Sequence, residues 1–574
     1  MMAKKGKLEL TWVGKDDRPR LEPRILIEDP EKSYHAQERK SEGDIFDNVL
    51  IKGDNLLALK ALEQDYSGLV KCVYIDPPFN TGNAFEHYDD GVEHSIWLNL
   101  MRERLEILRR LLRRDGFLCA HIDDSEGHYL KVLLDEVFGR ENYQTTIYLQ
   151  VRYPQKTLKQ DMSYHKQIEM IHIYRNSFDA KPWLTPKSSG LDKFNFYVST
   201  QGEGKEIELG GKKTIVFEPG NYKIEKGEPS VDGRKEIWAT GSILDGNSSG
   251  RFFRDYLDGR VKEDGLGALY KVYGIGDDKF DHRFFTGPKK ATATKGKYFQ
   301  GVPTSKLENA NSGNQPIENF LDLAGAFGNC RHEGGVEFRS GKKPEVLLQK
   351  ILTHFSDEND LILDSFAGSG TTAAVAHKMK RKWITVEIGE HCETHVMPRL
   401  AGIIDGTDMT GASENLDWKG GGGFRYYTLA PSLIETDRFG MSIISKEYNA
   451  AMLAEAMCKH MGFTYAPSTT DYWNHGYSTE TDFIYVTTQS LTHDTLRKIS
   501  ADVGKDRTLL VCCKAYSGGE NLDNLTIHKI PSIVLDKCEW GRDDYSLNVA
   551  NLPMAEVDPD ADLPLFTEGG SDDE

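Results

Sequence analysis

Short apolar runs alternate with stretches of helical spacing in two parts of the chain. A short apolar run predicts a buried strand, whereas apolar residues three and four positions apart predict an amphipathic helix. Strands alternating with helices are typical of an α/β fold. A helix is predicted at 95–114, and Asp115 and Gly116 are expected to end it. The predicted strands are 49–52, 70–75, 117–122, 145–149, 168–174, 361–363 and 383–387, and the predicted helices are 56–62, 95–114, 131–137 and 344–355.

Between these two parts, residues 178–335 follow neither period. Glycine, lysine and aromatic residues are mixed there, which predicts an inserted domain of irregular β structure. Gly420–Gly423 is expected to form a hinge before a small C-terminal α/β domain. The predicted divisions are an N-terminal arm at 1–45, one half of the α/β domain at 46–177, the insert at 178–335, the other half at 336–420, the C-terminal domain at 421–551 and an acidic, disordered tail at 552–574.

Composition adds bounds on the class of protein. A chain of 574 residues is too long for one hydrophobic core, and about three or four domains are expected. No apolar run reaches the length of about 18 residues that a membrane-spanning helix needs, so no membrane is expected as a partner. Met1–Lys7 lack an apolar signal core, and the eight cysteines form no CxxC pair. We therefore expect a cytoplasmic protein without a disulfide framework or a metal site.

The formal net charge of −18 argues at first against a nucleic acid as partner. Most of the excess acid lies in residues 401–574, with 13 lysine and arginine residues against 28 aspartate and glutamate residues. Residues 181–300 instead carry 21 basic against 17 acidic residues. A phosphate-binding face is therefore compatible with the insert. A charge that only maintains solubility is the alternative.

A glycine-rich turn follows the predicted strand 361–363. Residues 368–373 match the G-x-G-x-x-A pattern, in which glycines let the backbone turn sharply and approach a ligand closely. A carboxylate at the end of the next strand can accept hydrogen bonds from ribose hydroxyl groups. A purely structural turn and an NAD site are the alternatives, but the absence of a third glycine favours S-adenosylmethionine, which has no pyrophosphate. The cofactor-binding candidates in this region are Asp364, Phe366, Gly368, Gly370, Thr371 and Glu387.

A second turn, Asp76-Pro77-Pro78-Phe79, follows the predicted strand 70–75. The lone pair of an exocyclic amine on a nucleobase is delocalised into the ring, which makes the nitrogen a poor nucleophile. The Asp76 carboxylate and the Pro77 carbonyl would draw it toward tetrahedral geometry, with their direction fixed by the prolines. Phe79 offers a face on which a base flipped out of a duplex can stack. These four residues are the catalytic candidates, and a Pro-Pro turn without function is the alternative.

These segments resemble the beta group of DNA amino-methyltransferases, in which the catalytic tetrapeptide precedes the cofactor motif. Within that group the chain is most similar to the modification (Mod) subunits of type III restriction-modification systems. Phe79 stands where many relatives have tyrosine, so the ring could still stack on a base but would carry no hydroxyl group. The segments that carry the resemblance are Ile51–Leu59, Tyr74–Gly82, Lys343–Leu348, Asp364–Thr372 and Glu387–His391.

The resemblance implies a Rossmann-like class I methyltransferase sheet in permuted order, with an inserted target-recognition domain and a C-terminal domain for dimerisation. It implies methyl transfer from S-adenosylmethionine to the N6 amine of adenine in a short sequence of double-stranded DNA. Asp54 would lie near the cofactor adenosine, and Lys343 near its methionine end. The residues of the insert that suit phosphate and base contacts are Trp238, Arg251, Arg254, Tyr270, Lys271 and Arg283.

Two protein partners follow from the resemblance. One is a second copy of the chain, and the other is an ATP-dependent restriction subunit, because the chain has no GxxxxGKS/T motif of its own. Three alternatives stay open. The same acceptors would serve cytosine N4, the chain could mainly target a separate nuclease to DNA, and RNA could be the substrate. Aspartate at the first position of the catalytic turn favours adenine, and the large insert favours duplex DNA.

Overall fold

The computed structural model describes residues 9–79, 90–154, 164–185, 191–239, 248–290, 292–304, 314–338, 341–517 and 522–546. The tail predicted at 552–574 and the segment Asn80–Gly82 lie outside these residues. The chain forms two compact units, of which one combines Met1–Trp183 with Glu318–Glu574 and the other is Leu184–Ile317.

Strands and α-helices alternate along much of the chain that the structure describes. The strands are β1 Leu26–Glu28, β2 Tyr34–His35, β3 Asn48–Lys52, β4 Val70–Ile75, β5 Leu112–Ile122, β6 Tyr143–Gln150, β7 Ile168–Arg175, β8 Phe196–Thr200, β9 Lys205–Leu209, β10 Lys212–Phe217, β11 Tyr222–Lys226, β12 Lys235–Trp238, β13 Leu269–Tyr273, β14 His282–Thr286, β15 Lys297–Gln300, β16 Phe320–Asp322, β17 Leu361–Asp364, β18 Lys382–Glu387, β19 Gly423–Leu429, β20 Ile434–Thr436, β21 Ser442–Ile444, β22 Thr464–Tyr465, β23 Gly476–Tyr477, β24 Asp482–Leu491, β25 Thr508–Tyr516 and β26 Leu525–Lys529. The α-helices are α1 Asn55–Tyr66, α2 Asp90–Leu111, α3 Gly127–Phe138, α4 Ser248–Phe252, α5 Val261–Asp264, α6 Ala324–Asn329, α7 Glu345–Phe355, α8 Thr371–Lys378, α9 Met397–Ile404, α10 Ala450–Met461 and α11 His493–Val503.

The larger unit is built on an eleven-stranded mixed sheet, which confirms the predicted α/β class. Its order is β1-β19-β3-β18-β17-β4-β5-β7-β6-β16, with β2 beside β19. The six strands from β19 to β5 are parallel, and β7 runs antiparallel to β5. Since the inner strands are covered on both faces, β4 is buried along its whole length. The carboxyl ends of β3, β18, β17 and β4 therefore lie along one edge of the sheet.

The predicted end of the second helix at Asp115 and Gly116 was wrong. Helix α2 ends at Leu111, and both residues lie inside β5, where the pairing with β4 is irregular between Val70 and Cys72. Lys71 Nζ donates to the Asp115 carboxylate at 2.8 Å. A tertiary contact between strands thus overrides the local turn preference of Asp-Gly.

The sheet also continues past residue 420. Gly423, the last residue of the predicted hinge, is the first residue of β19, and β19 pairs in parallel with β3. The N-terminal arm joins the same edge, because β1 and β2 pair with β19. Further along the chain, β22 to β26 form a separate five-stranded sheet, which packs with helices α10 and α11.

The smaller unit, Leu184–Ile317, is a six-stranded antiparallel sheet in the order β12-β15-β14-β13-β10-β9, with β8 and β11 as a separate pair. Tyr270 and Arg283 are buried in it, and Arg283 pairs with Asp278 at 2.7 Å, so both stabilise the unit's interior. Trp238 is instead 60% exposed. Across the parts of the chain that the structure describes, no helix is long and apolar enough to cross a membrane. All eight cysteines are free and buried.

Candidate active site

Two turns lie side by side at the carboxyl-end edge of the main sheet. The proline turn (Asp76–Phe79) follows β4, and the glycine turn (Asp364–Gly370) begins at the last residue of β17. Because β4 and β17 are parallel neighbours, both turns leave the sheet in the same direction. They line one cavity of about 460 Å³, together with Asp54, Lys343 and Glu387. The structure thus brings the two sequence motifs together.

Three of the predicted cofactor residues do not line this 460 Å³ cavity. Asp364 and Thr371 lie at a recess of about 20 Å³, and Gly370 lines neither space. Asp76 and Gly368 line both the recess and the cavity. These three residues can therefore shape the turn, while the ligand-sized space is bordered by others.

The proline turn leaves one carboxylate oxygen buried and without a partner. Lys343 Nζ lies 2.9 Å from Asp76 Oδ2. Asp76 Oδ1 is buried, and no group among the described residues donates a hydrogen bond to it. The indole N–H of Trp97 donates to the Pro78 carbonyl at 2.8 Å, which fixes the backbone after the two prolines. Because a buried unpaired oxygen costs free energy, its presence in this turn indicates a place for a donor.

Phe79 closes the proline turn with a half-buried ring on the cavity wall. Lys343 Nζ lies 4.7 Å from the ring centroid, and the His121 ring centroid lies 6.0 Å from it. A flat ring in this position can stack against a flat ligand.

A polar chain that sequence patterns did not predict holds Lys343 in place. Glu169 Oε2 lies 3.8 Å from Lys343 Nζ and 2.7 Å from His121 Nε2. The other ring nitrogen, His121 Nδ1, lies 2.7 Å from the Tyr74 hydroxyl. Burial lowers the pKa of Lys343, but Asp76 and Glu169 outweigh burial and raise it. Burial likewise raises the pKa of Glu169, but the hydrogen bond with His121 and the charge of Lys343 bring it down to about 2. Lys343 is therefore an ammonium group held between two carboxylates.

The two glycines of the glycine turn serve different purposes. Gly368 and Gly370 both adopt left-handed backbone, with φ of 53° and 74°. A Cβ on Gly368 would meet nothing closer than the Phe366 carbonyl oxygen at 4.0 Å, so it would project into open space. A Cβ on Gly370 would lie 2.9 Å from Val396 Cγ1. The first glycine thus keeps the cavity clear, and the second allows close packing.

Two carboxyl groups tie the glycine turn together. Asp364 Oδ1 accepts the Phe366 backbone N–H at 2.9 Å, and burial raises the pKa of Asp364 to about 7. Glu387 accepts the Gly368 backbone N–H at 2.7 Å and the Gly389 backbone N–H at 2.9 Å. The predicted ribose acceptor therefore already has two backbone donors.

A buried ion network holds the start of α8, directly after the glycine turn. Arg399 Nη1 donates to the Ser369 carbonyl at 3.0 Å and lies 2.8 Å from Thr371 Oγ1. Glu345 pairs with Arg399 and with Lys378, each at 2.7 Å, and all three charged side chains are fully buried. The Thr371 hydroxyl, predicted to contact the cofactor, is occupied by this network.

Asp54, predicted near the cofactor adenosine, lies in the cavity wall with both oxygens engaged. Oδ1 caps helix α1, accepting the Leu56 and Leu57 backbone N–H groups at 2.9 and 3.0 Å. Oδ2 accepts the Tyr545 backbone N–H at 2.9 Å and lies 3.5 Å from Arg104 Nη2. The carboxylate therefore organises this wall.

Several of the described residues of the site escaped prediction from sequence, among them His121, Glu169, Arg104 and Ser546. His121 lies at the carboxyl end of a predicted strand, so its position was a usable signal. Glu169 lies on a predicted strand whose place in the sheet no pattern gave. No sequence signal pointed to Ser546, which lines the cavity from the far end of the described chain.

Several known proteins are similar to this chain. A family model described as DNA methylase matches residues 70–397. The chain is 31% identical to the HindVI Mod subunit of Haemophilus influenzae, a probable type III restriction-modification enzyme, over 76% of this chain and 60% of that protein. It is 33% identical to the type III EcoP15I Mod subunit of Escherichia coli, over 76% of this chain and 74% of that protein. Among solved structures it resembles a PvuII DNA methyltransferase described as cytosine-N4-specific, at 13% identity and a TM-score of 0.32, covering 67% of this chain and 94% of that chain.

The chain matches only part of the length of several relatives. The chain spans 52% to 61% of the length of three of the Mod subunits that it matches. The family model, however, covers both turns and the strands next to them, β4, β17 and β18. The chain therefore belongs to the DNA methylase family and is related in sequence to the Mod subunits of type III restriction-modification enzymes.

Proposed function

We propose that this chain transfers a methyl group from S-adenosylmethionine to an exocyclic amine of a base within a specific DNA sequence. The observation that carries the proposal is the buried Oδ1 of Asp76, which has no hydrogen-bond partner among the described residues and lies in a cavity that the glycine turn also lines. One wall offers an acceptor for an amine, and another offers a turn with room for a nucleoside.

The proline turn would activate the amine by accepting its hydrogens. An amine that donates to Asp76 Oδ1 and to the Pro77 carbonyl loses conjugation with its ring, so that its lone pair becomes available. Lys343 occupies the other carboxylate oxygen, which leaves Oδ1 to the amine, and Phe79 stacks on the base. The methylated nitrogen carries one proton too many, and Asp76 Oδ1 is placed to accept it.

The residues of the cavity fit S-adenosylmethionine. Ser365 Oγ is buried in the wall, and none of the described residues gives it a hydrogen-bond partner. Gly368 leaves space beside it, and Phe366 adds an apolar surface. The adenosine would lie toward Asp54 and the methionine end toward Lys343. When bound, the cofactor supplies a methyl group activated by a positively charged sulfur.

Adenine N6 is the proposed target, and cytosine N4 is the second candidate. Both amines would present two hydrogens to the same acceptors. Aspartate at the first position of the proline turn favours adenine, as does the resemblance to beta-group enzymes that methylate N6. A base within a duplex must leave the stack to reach a buried acceptor, so base flipping is part of the proposal.

Double-stranded DNA is the proposed substrate, with residues 184–317 as the target-recognition unit. Trp238 is exposed there, and Lys297 Nζ lies 4.6 Å from its ring centroid. An exposed aromatic ring with an adjacent cation suits contacts to bases and phosphates. The similarity to Mod subunits supports further partners, namely a second copy of the chain and an ATP-dependent restriction subunit, for host protection in the cytoplasm.

Sequencing of DNA from a host that expresses the chain, with detection of modified bases, tests this proposal. N6-methyladenine at one short, recurrent sequence is the expected result. N4-methylcytosine would establish the second candidate, whereas methylation of RNA alone would contradict the assignment of DNA. The absence of any modified base, from a folded protein that binds S-adenosylmethionine, would overturn methyl transfer to nucleic acid.

A further inference from the structure

The last described segment of the chain returns to the candidate active site. We name Glu539–Ser546 the C-terminal strap. Ser546 lines the 460 Å³ cavity together with both turns. The strap also lines a neighbouring cavity of about 1020 Å³, and Leu100, Arg104 and Ser546 border both spaces. The strap is therefore part of the partition between them.

Main-chain groups of the strap complete a buried ion pair in the cavity wall. The Tyr545 backbone N–H donates to Asp54 Oδ2 at 2.9 Å, and Arg104 Nη2 donates to the Tyr545 carbonyl at 3.1 Å. The Asp54 and Arg104 side chains are 0% and 1% exposed. Undocking of the strap would leave both charges with fewer partners in a buried place, which is costly.

Further contacts anchor the strap to the larger unit of the chain. The Tyr545 ring is 7% exposed and packs in the main hydrophobic core. Arg24 Nη2 lies 2.6 Å from Asp543, and the Gly541 backbone N–H donates to Ser432 Oγ at 2.9 Å. These contacts tie the strap to the N-terminal arm and to the segment after β19.

We propose that the C-terminal strap is a wall of the cofactor site and that its docking on Asp54 and Arg104 is a condition for binding S-adenosylmethionine. The inference rests on the proposed function, since it names the cofactor as the occupant of the cavity. A docked strap separates the adenosine side of this site from the larger cavity next to it, and so excludes water from the ligand.

Substitution of the anchor tests the inference without changing a side chain that lines the 460 Å³ cavity. Tyr545→Ala keeps the main-chain groups but removes the ring that packs in the core, so the strap should undock and its backbone bonds to Asp54 and Arg104 should break. The Kd for S-adenosylmethionine should then rise about tenfold or more, the effect of losing one hydrogen bond to a charged group. Tyr545→Phe keeps the packing and should bind as the original chain does. Tyr477→Ala, at an exposed tyrosine of β23, is the matched control and should leave the Kd unchanged.

Hydrogen exchange of the unsubstituted protein provides a second measurement that does not depend on the folding of a variant. Saturation with S-adenosylhomocysteine should slow amide exchange across Glu539–Ser546, and at Tyr545 in particular. Unchanged exchange there, or equal affinity of Tyr545→Ala and Tyr477→Ala for the cofactor, would overturn the strap's role. Failure of the unsubstituted chain to bind S-adenosylmethionine would instead overturn the proposed function.

Discussion

The proline turn and the glycine turn follow neighbouring strands of one sheet, yet they treat their carboxyl groups in opposite ways. Asp76 has an ammonium group 2.9 Å from one oxygen and no partner among the described residues on the other. Burial and nearby carboxylates raise the pKa of Asp364, and hydrogen bonds from Thr372 and Phe366 lower it. No cation is among these main influences on the pKa. The proline turn keeps a carboxylate acceptor open, whereas the carboxyl group of the glycine turn accepts hydrogen bonds from within the turn and from the start of α8.

This difference indicates which turn takes part in the chemistry and which one provides a fixed scaffold. An open acceptor is expensive to bury, so a fold keeps one where a ligand will complete it. A closed turn with a buried ion network behind it has a fixed shape before any ligand arrives. We therefore expect changes in the proline turn to affect turnover and changes in the glycine turn to affect cofactor affinity and stability.

Asp76→Ala should produce the largest effect, and it tests whether the proline turn acts in turnover. Loss of the acceptor should reduce kcat at least about a thousandfold, the upper range for removing one preorganised polar group. The Kd for S-adenosylmethionine should change little, because the glycine turn is intact. Single-turnover methylation and calorimetric titration measure the two quantities. A comparable loss of cofactor or DNA binding would show that Asp76 does not act on an amine.

Gly368→Val tests whether the glycine turn determines the affinity for the cofactor. The side chain would project into the open cavity, so the Kd for S-adenosylmethionine should rise about a hundredfold, or about 2.7 kcal/mol. Gly440→Val is the matched control, since Gly440 also has a positive φ with no atom within 4 Å of an added Cβ. It shares the backbone strain and lies outside the cavity. Equal affinities of the two variants would make the glycine turn a structural feature only.

Much of this comparison could be predicted from sequence, because each turn directly follows a short apolar strand. Their adjacency could not, since it depends on the pairing of β4 with β17, which lie almost 290 residues apart. Glu169 was missed because its strand runs antiparallel beside β5, a placement that periodicity does not encode. Asp115 was misplaced because strand pairing outweighed its turn preference. The C-terminal strap has no motif, and its bonds to Asp54 and Arg104 come from main-chain groups that any residue carries.

The pH dependence of stability sharpens the comparison through Asp364. Folding raises the pKa of this acid from 3.8 to about 7, so between these values the folded state binds more protons than the unfolded state. Its contribution to stability is therefore fully present below pH 3.8 and is lost as the pH rises toward 7. Asp364→Asn should remove this loss of stability, a change on the order of 4 kcal/mol. Urea unfolding of both proteins at several pH values measures the difference, and parallel curves would contradict it.

Glu169→Gln has the smallest expected effect and tests whether the proline turn is positioned from outside. The substitution keeps the shape but removes the charge that helps to hold Lys343 against Asp76. kcat should fall about tenfold, or about 1.4 kcal/mol, while the KM values for DNA and cofactor stay the same. Glu358→Gln, at an exposed position before β17, is the control and should leave kcat unchanged. A change confined to KM, or an equal change in both variants, would mean that Glu169 does not aim the acceptor. A selective fall in kcat would instead show that β7, the strand beside β5, contributes to the catalytic region. The Glu169 carboxylate, with a pKa of about 2, stays charged throughout the working range of pH and can therefore hold Lys343.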